Sequence, residues 1–345
     1  MGSVEVAGSK FEVKNGFLDL GLLEIKDIEE ILGLSKLKNL TNLELSSNDI
    51  REIKGLGDLE DLKILNLGSN KIRKITGLEN LKNLEILHLI SNKITEIEGL
   101  DKLENLKELY LRGNQIEDLK GLENLKSLQR LDLSWNKIRE IRGFENLKNL
   151  EVLWIAGNKI QKIENIDSLK ELEVLNLAGN QITDVQGLIN LENIKSLYLN
   201  NNSIREIKGF EHLDKLETLW LNTNQITEIK GLDHCANLKI LNLKQNKINR
   251  IKGLYSLVNL ESLFLSDNQI GEIRGLEPLT KLETLDLCNN RIIQVKGLES
   301  LMNLKDLWIS GNLIPQKIIE QLGGLDSGGC AIDPLSFVKY SLVNL

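Results

Sequence analysis

The sequence predicts an α/β repeat solenoid: a right-handed horseshoe with parallel strands on its concave face and 3₁₀ or irregular turns on its convex face. Three observations predict it. A 22-residue period places asparagine in 13 successive slots from Asn48 to Asn312, with isoleucine two residues on each time, from Ile50 to Ile314. A glycine slot runs from Gly55 to Gly297 and is broken once, by Asn165, the non-glycine type that best tolerates positive φ. Each period also supplies seven apolar slots, for example Leu40, Leu43, Leu45, Ile50, Ile53, Leu56 and Leu59. One repeat cannot bury seven such side chains alone, whereas stacked coils share a core with their neighbours.

The elements follow in chain order. Residues 1–39 are expected to form an N-terminal hairpin and a degenerate capping repeat. The stretch Phe11-Glu-Val-Lys-Asn-Gly-Phe17 holds an Asn-Gly turn signal. Residues 18–39 keep several repeat slots, with Gly21 expected in place of a leucine, Leu23 in the second strand slot and Lys26 in place of the asparagine.

Residues 40–314 carry the 13 repeats, the last one partial. Leu43 and Leu45 lie two apart, so they point to one face of a short strand. Ile50, Ile53, Leu56 and Leu59 are spaced by three, which suits 3₁₀-like turns. The asparagine sits between buried slots, so its amide must be hydrogen-bonded to backbone of its own and the next coil. Residues 315–345 are expected to form a helical cap. Pro315 opens one helix that stops at Gly323-Gly324, and Asp333-Pro334 opens a second carrying Phe337 and Tyr340.

The pattern LxxLxLxxN followed by IxxIxxLxxL at 22-residue spacing resembles the leucine-rich repeats. The period and the Asn-x-Ile-x-x-Ile run are similar to the subclass shared by the leucine-rich regulatory subunit of protein phosphatase 1 and the bacterial internalins. The resemblance implies a non-enzymatic scaffold that binds a folded protein on its concave face. One implied role is a regulatory subunit of a phosphatase or GTPase. The other is an adhesive or receptor-type cell-surface protein of the internalin kind.

Function is expected where the concave column is unusual. The slot of Glu44 is aromatic at Tyr110, Trp154, Tyr198, Trp220, Phe264 and Trp308, six of 13 positions in a chain that is 4% aromatic. Trp135 stands just before its asparagine, near the same face. Exposed rings rimmed by polar groups are typical of protein-interface hot spots, although aromatics also suit strands and stack on each other. The best single patch is Trp135, Val152, Trp154, Val174, Tyr198 and Trp220, edged by Arg112, Arg130 and Asp132, with Phe264, Asp286 and Trp308 extending the column. Ala156, Gly157, Ala178 and Gly179 leave room beside Trp154.

Other chemistries find little support. The formal net charge is −7, and the basic column that includes Lys54, Lys120 and Arg142 stands beside an acidic one that includes Glu52, Glu96 and Asp118. That pattern reads as a solvated ion-pair ladder, not a nucleic-acid stripe. His88 lies on the concave face while His212 and His234 lie on the convex side, so no catalytic group, metal site, cofactor or small-molecule substrate is expected. No secretory leader or membrane span is visible. The three cysteines, Cys235, Cys288 and Cys330, are far apart and odd in number. That fits a reducing interior and a cytoplasmic location.

Overall fold

The computed structural model describes residues 2–343. The chain forms two compact units, Met1–Leu172 and Glu173–Leu345. In the first, an antiparallel pair β1 (Ser3–Val6) and β2 (Ser9–Glu12) precedes β3 (Phe17–Asp19). Six further three-residue strands follow: β4 (Asn42–Glu44), β5 (Ile64–Asn66), β6 (Ile86–His88), β7 (Glu108–Tyr110), β8 (Arg130–Asp132) and β9 (Val152–Trp154). Strands β3 to β9 pair in parallel, leucine beside leucine, as in Leu43↔Leu65 and Leu131↔Leu153. The second unit repeats the arrangement with β10 (Val174–Asn176), β11 (Ser196–Tyr198), β12 (Thr218–Trp220), β13 (Ile240–Asn242), β14 (Ser262–Phe264), β15 (Thr284–Asp286) and β16 (Asp306–Trp308). It ends in α1 (Gln316–Gln321) and α2 (Pro334–Val343).

The strand leucines and the step-of-three residues meet in one core per unit. Leu62, Leu65, Leu67, Ile72, Ile75, Leu78 and Leu81 are all fully buried. Opposite the strands the chain makes single i→i+3 turns, such as Leu59 N–H to Leu56 O at 3.0 Å and Leu62 N–H to Leu59 O at 3.0 Å. The only 3₁₀ helices among the described residues lie at Ile28–Glu30 and Leu34–Lys36. Phe144 and Phe210 fill leucine slots, and Cys235 fills another, all without exposure. Burial pushes the Cys235 thiol up to about 12, so it behaves as a small apolar side chain.

Eleven of the 13 slot asparagines are buried and Asn202 and Asn312 are half-buried, and the slot amide bonds two coils. Asn114 Oδ1 accepts from Ile94 N–H at 3.0 Å, and its Nδ2 donates to Leu89 O and Leu111 O at 2.9 Å each. The partner coil is the preceding one, not the next as expected. Glycines of the Gly55 column have positive φ and press against that same neighbour. A Cβ on Gly143 (φ 80°) would stand 2.7 Å from Leu119 O. Asn165 adopts φ 58° and turns this approach into a bond, its Nδ2 donating to Ile141 O at 2.8 Å.

The N-terminal cap differs from the expected register. Leu18 pairs with Leu43, 25 residues on, so Leu18 and Leu20 fill the strand slots and both are fully buried. Gly21 and Leu23 are half-buried and lie past the strand. Three extra residues give the coil one more apolar step: Ile25, Ile28, Ile31, Leu34, Leu37 and Leu40 are all buried. The Asn-Gly turn exists as a tight reversal in which Lys14 and Phe17 exchange backbone bonds of 2.9 Å. The larger hairpin lies earlier and turns at Ala7-Gly8, with φ of 49° and 80°.

At the other end Gly323 and Gly324 stop α1 with φ of 100° and 84°. Ala331 N–H then donates to Leu307 O at 2.7 Å, and Trp308 bridges Cys330, so this segment covers the free edge of β16. Asp333 caps α2 by accepting from Leu335 N–H and Ser336 Oγ. Phe337 and Val338 are fully buried, and Ser341 joins α2 to the last coil by accepting from Leu298 N–H at 3.2 Å and donating to Glu299 at 2.7 Å.

At Gly143, alanine must bear a left-handed backbone, at about 1–2 kcal/mol, and crowd Leu119 O. Asparagine can instead donate to that carbonyl. Chemical denaturation should therefore rank wild type above Gly143→Asn above Gly143→Ala; equal losses for the two variants would contradict the role given to Asn165.

Candidate functional site

Strands of three residues leave the backbone after each strand in need of partners, and the middle outward slot supplies them where it is acidic or an amide. Asp132 Oδ1 accepts from Ser134 N–H at 2.9 Å, Asn176 from Ala178 at 3.0 Å, Asn242 from Lys244 at 3.1 Å and Asp286 from Cys288 at 3.0 Å. The polar members of the column are thus backbone caps as well as spacers. An aromatic ring in the same slot offers no such acceptor.

In the first unit, His88 and Tyr110 stack face to face, with ring centroids 4.6 Å apart and planes 4° apart. The Tyr110 hydroxyl donates to Glu108 at 2.6 Å, and Arg130 stands 3.8 Å from the same carboxylate. Burial, with Glu108 beside it, pushes the Tyr110 phenol up to about 12. Burial holds the His88 imidazole below its usual range, against the pull of Glu108 and Glu44. Across the sheet Tyr110 pairs with Asp132, and Asp132 with Trp154. Trp154 is half-buried and Val152 is buried, with 7% exposure, whereas Arg112 and Arg130 are exposed.

Trp135 differs from every other aromatic of the column's neighbourhood. It is 61% exposed and holds φ 58°. Its slot is left-handed in every repeat of this unit and is otherwise Ser47, Ser69, Ser91, Gly113 and Gly157. Its backbone N–H donates to Ala156 O at 2.7 Å. The indole lies over Gly157, where a Cβ would fall 2.9 Å from Trp135 Cδ2. The glycine expected to make room for Trp154 therefore seats Trp135. The signal was present in the sequence: a slot of small and turn-forming residues carries one tryptophan.

In the second unit, Val174 is half-buried. Tyr198 and Trp220 lie on adjacent strands with centroids 6.0 Å apart and planes tilted by 51°. Phe264 stands between Asn242 and Asp286, and Trp308 lies beside Asp286. All four rings are half-buried, not freely exposed as the sequence suggested, because side chains on adjacent strands shield one another. Of the expected best patch, Trp135, Val152 and Trp154 belong to the first unit and Val174, Tyr198 and Trp220 to the second.

Cys288 Sγ and Ser310 Oγ are 3.2 Å apart, and burial raises the thiol's pKa, which keeps it protonated. His212 and His234 are exposed on the side away from the strands. Among the described residues no group of three or more His, Cys, Asp or Glu side chains is placed to hold a metal ion, and no helix is long and apolar enough to cross a membrane. All three cysteines are free.

The family model for leucine-rich repeats in two copies matches in overlapping or adjoining windows from residue 38 to residue 327. Among solved structures, the chain is similar to an internalin, inlF of Listeria monocytogenes, at 32% identity and TM-score 0.77, over 86% of each chain. It is also similar to a leucine-rich-repeat protein of Leptospira interrogans, at 29% identity and TM-score 0.69, over 88% of this chain and 92% of that one. A third likeness is to TLR13 in complex with ssRNA13, at 25% identity and TM-score 0.69, over 86% of this chain and 50% of that one. Among curated proteins, none matches this chain in sequence.

His88 gives a pH test of this geometry. Its folded-state pKa lies below the free value of about 6.5, so the unfolded chain takes up the proton first. The contribution is fully present above that value and is lost as pH falls through the folded pKa. Wild type should lose more stability than His88→Phe between neutral pH and pH 5. An imidazole titration by NMR at or above the free value would contradict the half-buried, stacked ring.

Proposed function

Because the chain belongs to the leucine-rich-repeat family, we propose that it is a non-enzymatic interaction scaffold that takes a folded protein partner on its strand face. The observation that carries this reading is Trp135. A non-glycine residue at φ 58° costs about 1–2 kcal/mol, and its slot accepts glycine at Gly113 and Gly157 in the neighbouring coils. A tryptophan there adds strain and leaves a large ring in water. Both costs serve recognition, since a ring already seated on Gly157 loses little freedom when a partner covers it. Arg130 and Asp132 on the strand of its own coil, with Glu108 and Arg112 in the coil before, supply polar groups of both signs that favour protein over nucleic acid.

In the second unit Trp220, with Tyr198 beside it, is proposed as a second anchor, and Phe264, Asp286 and Trp308 as an outer contact strip. The finer assignment is a cytoplasmic regulatory subunit of an enzyme such as a phosphatase or GTPase, supported by three unpaired cysteines. A second reading, an adhesive or receptor-type surface protein, is favoured by the 32% identity to a Listeria internalin.

Affinity capture followed by mass spectrometry tests the face. Trp135→Gly should keep or raise the unfolding midpoint, because it removes the left-handed strain, and should lose the specific partner. Trp220→Ala should weaken capture while the fold stays intact by circular dichroism. Recovery of the same proteins at the same yield with both variants would overturn the assignment to the strand face.

A further inference from the structure

Away from the strand face, the first unit has a groove that the ion-pair ladder does not explain. Its cavity of about 660 Å³ is lined by six cations, Arg51, Lys54, Lys71, Arg73, Lys74 and Lys93, and by one acid, Glu52, with Ile53 and Thr76 completing the wall. Elsewhere the ladder works across coils. Arg142 holds Asp118 through two bonds, of 2.8 and 3.1 Å, Lys208 holds Asp184 at 3.1 Å and Lys252 holds Glu228 at 3.2 Å. Here the acidic column reads Glu52, Lys74, Glu96. Lys74 interrupts it, so cations accumulate instead of alternating with acids.

Part of that charge is already matched. Lys54 is held by Asp27 at 2.7 Å and Glu29 at 3.0 Å, Lys71 by Asp49 at 2.6 Å, and Lys74 reaches Glu98 at 3.6 Å. Arg51, Arg73 and Lys93 are exposed and form no direct ion pair with any described residue, Asp49 acting on Arg51 only at longer range. Arg51 and Arg73 hold equivalent positions on adjacent coils, as do Lys71 and Lys93. Like charges are therefore stacked on neighbouring coils, where they repel. The Arg51 column continues as Thr95 and Glu117 in the next coils, so this fold does not require the arginine stack.

We propose that this groove binds a compact polyanion carrying two or more phosphate or sulfate groups. Guanidinium forks match the geometry of oxyanions in pairs of bonds, and the ammonium of Lys93 adds a point charge. Arginines one coil apart would engage anionic groups on neighbouring atoms of one small ligand. The volume falls within the range of small-molecule sites. A related groove in the second unit, of about 570 Å³, provides an internal control. Arg250 interrupts the acidic column there too, but Lys252 is paired with Glu228 and Arg274 with Glu272 at 3.0 Å.

The test is calorimetric titration of the full chain with inositol hexakisphosphate, and separately with a heparin hexasaccharide. The stronger of the two assigns the phosphate or the sulfate source, and equal strength assigns the shared chemistry. Binding at one site per chain is expected. Arg73→Gln with Lys93→Gln should weaken it by about tenfold or more, and Arg250→Gln with Arg274→Gln should leave it within about twofold. Lys74→Glu, which restores the alternation, should weaken binding and raise the thermal midpoint. No binding of either probe, or equal losses in the two double variants (diffuse attraction), would overturn the proposal.

Discussion

Stacking identical coils is possible only if the polar backbone between their apolar slots is satisfied, and in this chain one buried side-chain type does that together with the backbone bonds between coils. The buried amide of Asn114 accepts from Ile94 and donates to Leu89 in the preceding coil while donating to Leu111 in its own. Such groups cost about 1–3 kcal/mol each when left unsatisfied in the interior. The amide is needed whole: aspartate would lose the donors, and leucine would lose both halves. Its rigid two-ended geometry also fixes how far one coil can shift on the next, and Asn48 makes the same bonds to the 25-residue N-terminal coil.

Two left-handed backbone positions per coil complete the constraint, and they behave differently. Beyond Gly55 itself, glycines of this column such as Gly77 and Gly143 lie against the preceding coil's carbonyl, so a side chain there is excluded by space unless, as at Asn165, it bonds that oxygen. The slot before each asparagine is open to solvent, so Ser47, Gln245, Asp267 and Trp135 can all occupy it at a cost in backbone strain alone. Chemical variety is tolerated at the second position and not at the first, which leaves the second available for recognition.

These differences explain what was readable from the residues. The asparagine, isoleucine and glycine columns were legible because each answers one chemical need that recurs at every coil. The N-terminal register was not. Three added residues keep the step-of-three pattern from Ile25 to Leu40, so periodicity cannot distinguish a coil of 25 residues from one of 22. At the candidate site the aromatic column was legible, but its exposure was not, because burial on a sheet face depends on the size of neighbours one strand away. The seat of Trp135 on Gly157 depends on φ at Trp135, which the column of serines and glycines encodes only when read as a conformational signal. The basic groove was hidden for a related reason: a ladder averaged over all coils cancels, and Lys74 matters only beside Arg51, Arg73 and Lys93.

The aromatic column is best understood by what it gives up. Where the middle outward slot holds aspartate or asparagine, the side chain satisfies a backbone amide two residues on, as at Asp132, Asn176, Asn242 and Asp286. Tyr110, Trp154, Tyr198, Trp220, Phe264 and Trp308 forgo that bond. Ring stacking offsets the loss for Tyr110 against His88, and a tilted ring contact does so for Tyr198 against Trp220. It does nothing for Phe264, whose neighbours are Asn242 and Asp286. Trp135 forgoes more, since its backbone would relax with glycine in its place. Stability alone therefore accounts for some of these rings and not for others, and the unaccounted ones, Trp135 and Phe264, belong to the contact surface proposed above.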